Sequence, residues 1–278
     1  EQLKNTDKTF VVSTWQSVYK MSKSWFNQFE VVLVDEAHLA QAKSLNNILK
    51  KCVNVKYRFG TTATIQESKA HKLSLEGYIG PVFEAAKTKD LQDCGYLSKL
   101  QIKCLCLNYT DAEEKKMVRY MKYQDEIKHL VTHTKRNKII SKIATNRKGN
   151  TIVLYKFVDT HGRILYDMIR NMVSEERSVY YLHGQVKPEL REKIRKSLEE
   201  ESDAIVIASL GVFSVGINVK NIENIIFASP IKSSIRTLQS IGRGLRISPH
   251  SDSATLIDIA DNFSYKKYQN FALRHFLH

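Results

Sequence analysis

Short apolar runs alternate with helical patterns along almost the whole chain. Strands are predicted at Thr9–Ser13, Val31–Val34, Lys56–Gly60, Thr151–Leu154, Ser178–Leu182, Ala204–Ala208, Asn224–Ala228 and Ala254–Ile259. Several are continuously apolar rather than alternating, the pattern of parallel strands covered on both faces. Between them lie amphipathic stretches. Arg163–Met172 sets Ile164, Leu165, Met168, Ile169 and Met172 on one helical face. Pro188–Glu199 opens with a proline suited to a first helical position and carries a stripe of Leu190, Ile194 and Leu198. Strand, helix, strand in this rhythm predicts doubly wound α/β domains.

The middle of the chain breaks the rhythm. Leu100–Leu107 reads as a strand of mixed polarity, followed by two charged helical segments, Asp111–His133 and Lys135–Arg147. A domain boundary is expected near Thr88, giving domains at 1–88 and 89–278. The first would hold only about three strands, too few for an ordinary sheet, so it is expected to be incomplete at its amino end. At the other end, Phe263, Tyr268, Phe271 and Leu273 would bury a short helix within Asp261–His278.

Composition narrows the function. With 278 residues and 42% hydrophobic content the chain can bury two cores. No apolar stretch approaches the length of a membrane span. The four cysteines are scattered, with no paired spacing for zinc or a disulfide framework, which fits a reducing, cytoplasmic setting. A net charge of +14 attracts polyanions and fits contact with nucleic-acid phosphates.

The candidate chemistry begins where Val31–Val34 runs into Asp35-Glu36-Ala37-His38. A hydrophobic strand ending in adjacent carboxylates is the physical form of a Walker B element, at the sheet edge where ligands bind. There Asp35 would hold Mg²⁺ through water, and Glu36 would orient and deprotonate an attacking water. Two arginines three apart, Arg243 and Arg246, share one helical face in Gln239-Ser240-Ile241-Gly242-Arg243-Gly244-Leu245-Arg246. Their planar guanidinium groups suit charge developing on a γ-phosphate.

Asp35–His38 resembles motif II of the superfamily 2 helicases, the DEAH box, and other motifs follow in that family's order. Thr61-Thr62-Ala63-Thr64 resembles motif III, and Ser13-Thr14-Trp15-Gln16-Ser17 resembles motif Ib. Ile152–Phe157 takes the place of motif IV, and Tyr181-Leu182-His183-Gly184 resembles motif IVa. Ala208–Asn218 resembles motif V, although family members often carry Asp where Asn218 stands, and Gln239–Arg246 resembles motif VI. The order matters more than any single match. Within the superfamily, Ser209–Gly216 followed by Gln239–Arg246 looks most like the phage UvsW-like helicases and the XPB-like branch.

The resemblance implies two RecA-like parallel-sheet domains with ATP and Mg²⁺ in the cleft between them, Glu36 and Arg246 converging on one triphosphate. It also implies that His38, Thr62, Thr64 and Gln239 relay between nucleotide and nucleic acid, and that Gly216 and Asn218 meet phosphate. Thr14, Gln16, Lys156, His183 and Ser209 would grip the nucleic-acid backbone. The implied partner is DNA, branched or at single/double-strand junctions, in replication, recombination or repair. Alternatives are an RNA helicase, a non-catalytic binding module descended from a helicase, and the motor subunit of a restriction system.

No G-x-x-x-x-G-K-[ST] occurs in the chain, nor a shorter G-K-[ST]. Nothing here cradles β- and γ-phosphates, and such a loop is expected amino-terminal to Glu1 in a longer protein. This chain alone should therefore neither bind ATP tightly nor hydrolyse it. A radiolabelled phosphate-release assay on the purified chain checks this, and DNA-stimulated turnover would refute it.

Overall fold

The computed structural model describes residues 9–62, 69–216, 221–230 and 253–263. The chain divides into two compact units, Glu1–Ala85 and Ala86–His278.

In the first unit, α1 (Trp15–Val18) and α2 (Lys23–Phe26) precede β1 (Val31–Val34) and a 3₁₀ turn at Ala37–Gln41. Then come α3 (Lys43–Lys51), β2 (Tyr57–Gly60) and α4 (Lys69–Tyr78). The strands pair in parallel, Val31 opposite Tyr57 and Val34 opposite Gly60. Alternation along β1 turns Val32 and Val34 towards Leu45 and Leu49 of α3 and Leu75 of α4. Val31, Leu33, Tyr57 and Phe59 take the other face, each more than half exposed, so this apolar face is open among the described residues. The strand predicted at Thr9–Ser13 does not form. No described strand lies alongside it, Phe10 and Val12 are exposed, and β-propensity without a ladder partner holds no strand.

The second unit contains α5 (Thr88–Asp93), β3 (Lys99–Asn108), α6 (Ala112–Val118), α7 (Tyr123–Thr132) and α8 (Thr134–Asn146). After β4 (Thr151–Tyr155) comes a π-helical turn at Val158–Gly162, then α9 (Arg163–Arg170), β5 (Val179–Leu182) and α10 (Pro188–Glu200). It closes with β6 (Ile205–Ser209), α11 (Leu210–Gly216), β7 (Asn224–Phe227) and β8 (Ser253–Asn262). The helix predicted over Asp111–His133 is two helices. Val118 of α6 and Leu130 of α7 both reach the cluster built on Tyr109 and Phe263, and the chain turns at 119–122 to let them do so.

The six strands β3–β8 form one parallel sheet in the order β3-β8-β7-β4-β6-β5. Winding runs from β4 to the far edge at β5, returns to β6, then crosses to the other side of β4 for β7 and β8. Winding therefore reverses at β4, and in open α/β sheets ligands bind beyond the carboxyl ends of the strands at such a point. Every residue of β4, β6 and β7 is buried. Ile152, Leu154, Val206 and Phe227 face α10 and α11 through Ile194, Leu198 and Phe213. Val153, Tyr155, Ile207 and Ile226 face α8 and α9 through Ile140, Ala144, Leu165 and Ile169. Helical cover on both faces explains the uninterrupted apolar runs.

One ionic network crosses this core. Arg136 of α8, fully buried, donates from Nε (2.8 Å) and a terminal nitrogen (3.0 Å) to the two oxygens of Asp261 at the end of β8. Its other terminal nitrogen donates to the Ala228 carbonyl at 2.7 Å, and Tyr109 donates its hydroxyl to Asp261 at 2.6 Å. Burial, reinforced by the Asp261 charge, pushes the Tyr109 phenol well above its ordinary value, so it remains a donor. Removing one member strands a buried charge, whereas removing both does not. Arg136→Leu should lower the unfolding free energy of the second unit by about 3–5 kcal/mol in urea titrations followed by circular dichroism. Combining it with Asp261→Asn should recover much of that loss; a double variant as unstable as the single would contradict the ionic account.

Candidate nucleotide and nucleic-acid site

The acidic pair sits where β1 ends. Glu36 adopts a left-handed backbone (φ 51°, ψ 48°), the one non-glycine residue with positive φ among those described. That conformation costs about 1–3 kcal/mol and persists only where surroundings over-determine it. They do so here through β2. Thr61 N–H donates to the Val34 carbonyl and Ala37 N–H to the Thr61 carbonyl, each at 2.9 Å. The Thr61 hydroxyl (3.0 Å) and the Glu36 amide (2.9 Å) both donate to Asp35 Oδ1. Asp35 is thus oriented by one oxygen at an exposed strand end. A hard oxygen donor held this way fits Mg²⁺ bound through water.

His38 stands on the 3₁₀ turn, its side chain 8% exposed, with Nδ1 3.0 Å from Thr62 Oγ1 and 3.2 Å from Glu36 Oε2. The Thr62 contact is an aligned hydrogen bond. The Glu36 oxygen is shielded and close, without that alignment. A proton on Nδ1 faces both oxygens. Asp35, Glu36, Thr61, Thr62 and His38 therefore form one connected cluster, and motifs II and III are joined by direct bonds. At the start of α1, Thr14 Oγ1 lies 2.9 Å from Ser17 Oγ, and Thr14 and Gln16 are exposed.

In the second unit, Lys156, His183 and Ser209 lie along one carboxyl edge of the sheet. Tyr155 pairs with Ser209 and Leu182 with Ala208, so Lys156 and His183 are the next residues out on either side of β6. Lys156 is exposed, its Nζ 5.2 Å from the Phe157 ring centroid. His183 packs its ring 5.0 Å from that of Tyr181, with Nδ1 shielded and without a hydrogen-bond partner among the described residues. Ser209 is 8% exposed, and its hydroxyl accepts from Val212 N–H at 3.4 Å, which turns it inward onto α11. Gly216 ends α11. Thr64, Asn218, Gln239, Arg243 and Arg246 lie outside the described residues.

A second titratable group lies away from these motifs. Glu114 Oε1 is 2.8 Å from His129 Nε2 and 2.9 Å from His133 Nε2, a set with metal-ligand composition. His133 also caps α8, its Nδ1 accepting from Arg136 N–H at 3.1 Å. The proton of the neutral ring is therefore on Nε2, towards Glu114, and a metal at Nε2 would put Nδ1–H against the Arg136 amide. The group is a clamp joining α6, α7 and α8.

Residues 134–248 match the family model for the helicase conserved C-terminal domain, and residues 1–67 match that for the type III restriction enzyme res subunit. The ATP-dependent DNA helicase UvsW of Enterobacteria phage T4 is 36% identical over 263 residues, 94% of this chain and 51% of that protein. The chain belongs to the superfamily 2 helicases. Within superfamily 2 it is related to UvsW, whose crystal structure superimposes with a TM-score of 0.54 at 33% identity, covering 95% of this chain and 53% of that one. The fold alone is shared with two more distant neighbours. One is the type ISP restriction-modification enzyme LlaBIII bound to DNA (TM-score 0.63, 17% identity, 87% of this chain and 19% of that one). The other is the Hef helicase domain of Pyrococcus furiosus (0.56, 12%, 95% and 77%). The chain spans about half the length of the T4 relative.

Sequence reasoning missed Thr61 as the group that orients Asp35, and it missed the close fit beside it. A Cβ on Gly60 would lie 2.9 Å from Ala37 Cβ and 3.0 Å from Ile79 Cδ1. The end of β2 must approach the turn carrying His38 this closely for Thr61 and Thr62 to bond. Gly60→Ala should destabilise the first unit by about 1–3 kcal/mol, read from its urea midpoint. An unchanged midpoint would mean that the turn gives way freely.

Proposed function

We propose that this chain is the greater part of the motor of an ATP-dependent DNA helicase or translocase that remodels branched DNA in replication, recombination or repair. The observation that carries this reading is the bonded cluster of Asp35, Thr61, Thr62 and His38, which joins a Walker B strand end to a motif III segment. Kinship with a phage DNA helicase supports DNA as the nucleic acid and a phage-infected bacterial cell, at the nucleoid, as the setting. The site would act in the cytoplasm of that cell, within a full-length protein that also carries a glycine-rich phosphate loop.

In this reading Asp35 would hold Mg²⁺ through water, and the ion would supply positive charge to offset that of the nucleotide phosphates. Glu36 orients the attacking water and takes its proton. Arg243 and Arg246 stabilise the transferring phosphoryl charge, and Gly216 with Asn218 offer backbone amides to phosphate. His38, Thr62, Thr64 and Gln239 pass the change in nucleotide state to the nucleic-acid contacts. Those contacts are Thr14 and Gln16 in one unit, and Lys156, His183 and Ser209 in the other. Ser209 accepts from the Val212 amide and keeps its own O–H to donate to a phosphate. Contacts of this kind read phosphates rather than bases, so binding should be sequence-tolerant and weaken with salt.

The test is Glu36→Gln in the full-length protein. It should lower DNA-stimulated ATP turnover by about 100-fold or more while leaving nucleotide binding intact. Turnover at the wild-type rate would remove Glu36 from the chemistry. Stimulation by matched RNA but not DNA would replace the substrate assignment.

A further inference from the structure

The turn that follows β4 carries a buried histidine that no motif accounts for. Val158–Gly162 is π-helical, a geometry that occurs mostly as single turns, frequently at functional sites. Two tyrosines hold it in place. A Cβ on Gly162 would run into the Tyr155 ring, so the turn rests directly on that ring. The Tyr155 hydroxyl in turn donates to the Leu182 carbonyl at 3.0 Å, and Tyr181 donates to the Val158 carbonyl at 2.8 Å.

His161 projects from this turn into the core and is fully buried. Its Nδ1 lies 2.9 Å from Ser229 Oγ, and Lys156 N–H donates to the same oxygen at 3.1 Å. Nε2 is buried and has no partner among the described residues. Desolvation first, then the Arg136 charge, hold the imidazole down to about 3, so it is uncharged at any working pH. For packing alone this is a poor choice. A polar ring buried this deeply costs desolvation free energy that leucine at the same place would not.

The bond's other end explains the choice. Ser229 follows Ala228 at the exit of β7, and it is 2% exposed. Two consecutive residues there are gripped from different elements: the Ala228 carbonyl by Arg136 of α8, and the Ser229 hydroxyl by His161 and the Lys156 amide. Pro230 comes next, and after it the stretch bearing Gln239, Arg243 and Arg246. We propose that His161 is a positioning residue that, by holding Ser229, fixes the exit of β7 against the strand end at Lys156, the point from which the chain runs on in sequence to Gln239, Arg243 and Arg246. It rests on the motor reading above but touches neither nucleotide nor nucleic acid.

The test compares His161→Leu, His161→Asn and Ser229→Ala. Asparagine keeps an amide near the Nδ1 position and can still bond Ser229, whereas leucine cannot. In the full-length protein, His161→Leu and Ser229→Ala should each lower DNA-stimulated kcat about tenfold or more, with KM for ATP within about twofold. His161→Asn should restore most of the loss, and combining His161→Leu with Ser229→Ala should be no worse than His161→Leu alone. Wild-type kcat in a folded His161→Leu protein, an asparagine variant as impaired as the leucine one, or additive losses would each overturn the proposal. A second measurement needs no ATPase. Amide hydrogen exchange at Lys156 and over 224–229 in this chain should speed up in His161→Leu and Ser229→Ala and return towards wild type in His161→Asn. Unchanged exchange overturns the anchoring even if turnover proves absent, and absent turnover with altered exchange defeats only the motor reading.

Discussion

A parallel sheet covered on both faces leaves polar side chains little place except beyond the ends of its strands. In the second unit this constraint is close to absolute. Every residue of β4, β6 and β7 is buried, and alternate residues are spoken for by helices on opposite faces. Lys156, His183 and Ser229 therefore appear just past their strands and Ser209 at the last residue of its own, all on the carboxyl side. The first unit follows the same logic with Asp35 and Glu36 after β1, and Thr61 and Thr62 after β2. Register does the rest, since pairing Val34 with Gly60 is what brings Thr61 level with Asp35.

The strands were legible because burial on both faces writes itself as unbroken apolar runs. Val31–Val34, Thr151–Leu154 and Asn224–Ala228 each form a strand within a residue of expectation. Motif spacing likewise located the acidic pair and the threonines. What stayed hidden depends on residues distant in sequence. Arg136 reads as one more cation in a basic helix, and only Asp261, 125 positions later, makes it a core residue. His161 and Ser229 are ordinary loop letters until folding sets them 2.9 Å apart. The split between α6 and α7 carries no glycine or proline to announce it, and Thr9–Ser13 shows the opposite error, strand-like composition without a neighbour.

Buried polar groups in this chain are concentrated where a chain direction must be set. Arg136 ties a helix to two strand ends, His133 starts that same helix while reaching Glu114, and Asn150 receives β6 by accepting from the Ala204 amide at 2.8 Å. Each such group sets a direction that an apolar side chain could not, because its bonds reach particular atoms of another element. Residues with expected chemistry thus rest on a layer of polar contacts that apolar patterning does not reveal.

The strand order carries a consequence for how the molecule is made. β3 is the first strand of the second unit to leave the ribosome, yet its sole neighbour among the described strands is β8, whose residues pair with it 154 positions later. Until that last strand is synthesised, β3 has no ladder, and the loop that must close around the intervening strands is nearly the length of the unit itself. Such non-local pairing is slow, because chain entropy is lost before contacts repay it. Completion of this sheet at one edge therefore waits for β8, and a nascent chain halted before Ser253 would present β3 as an unpaired strand for chaperones to shield.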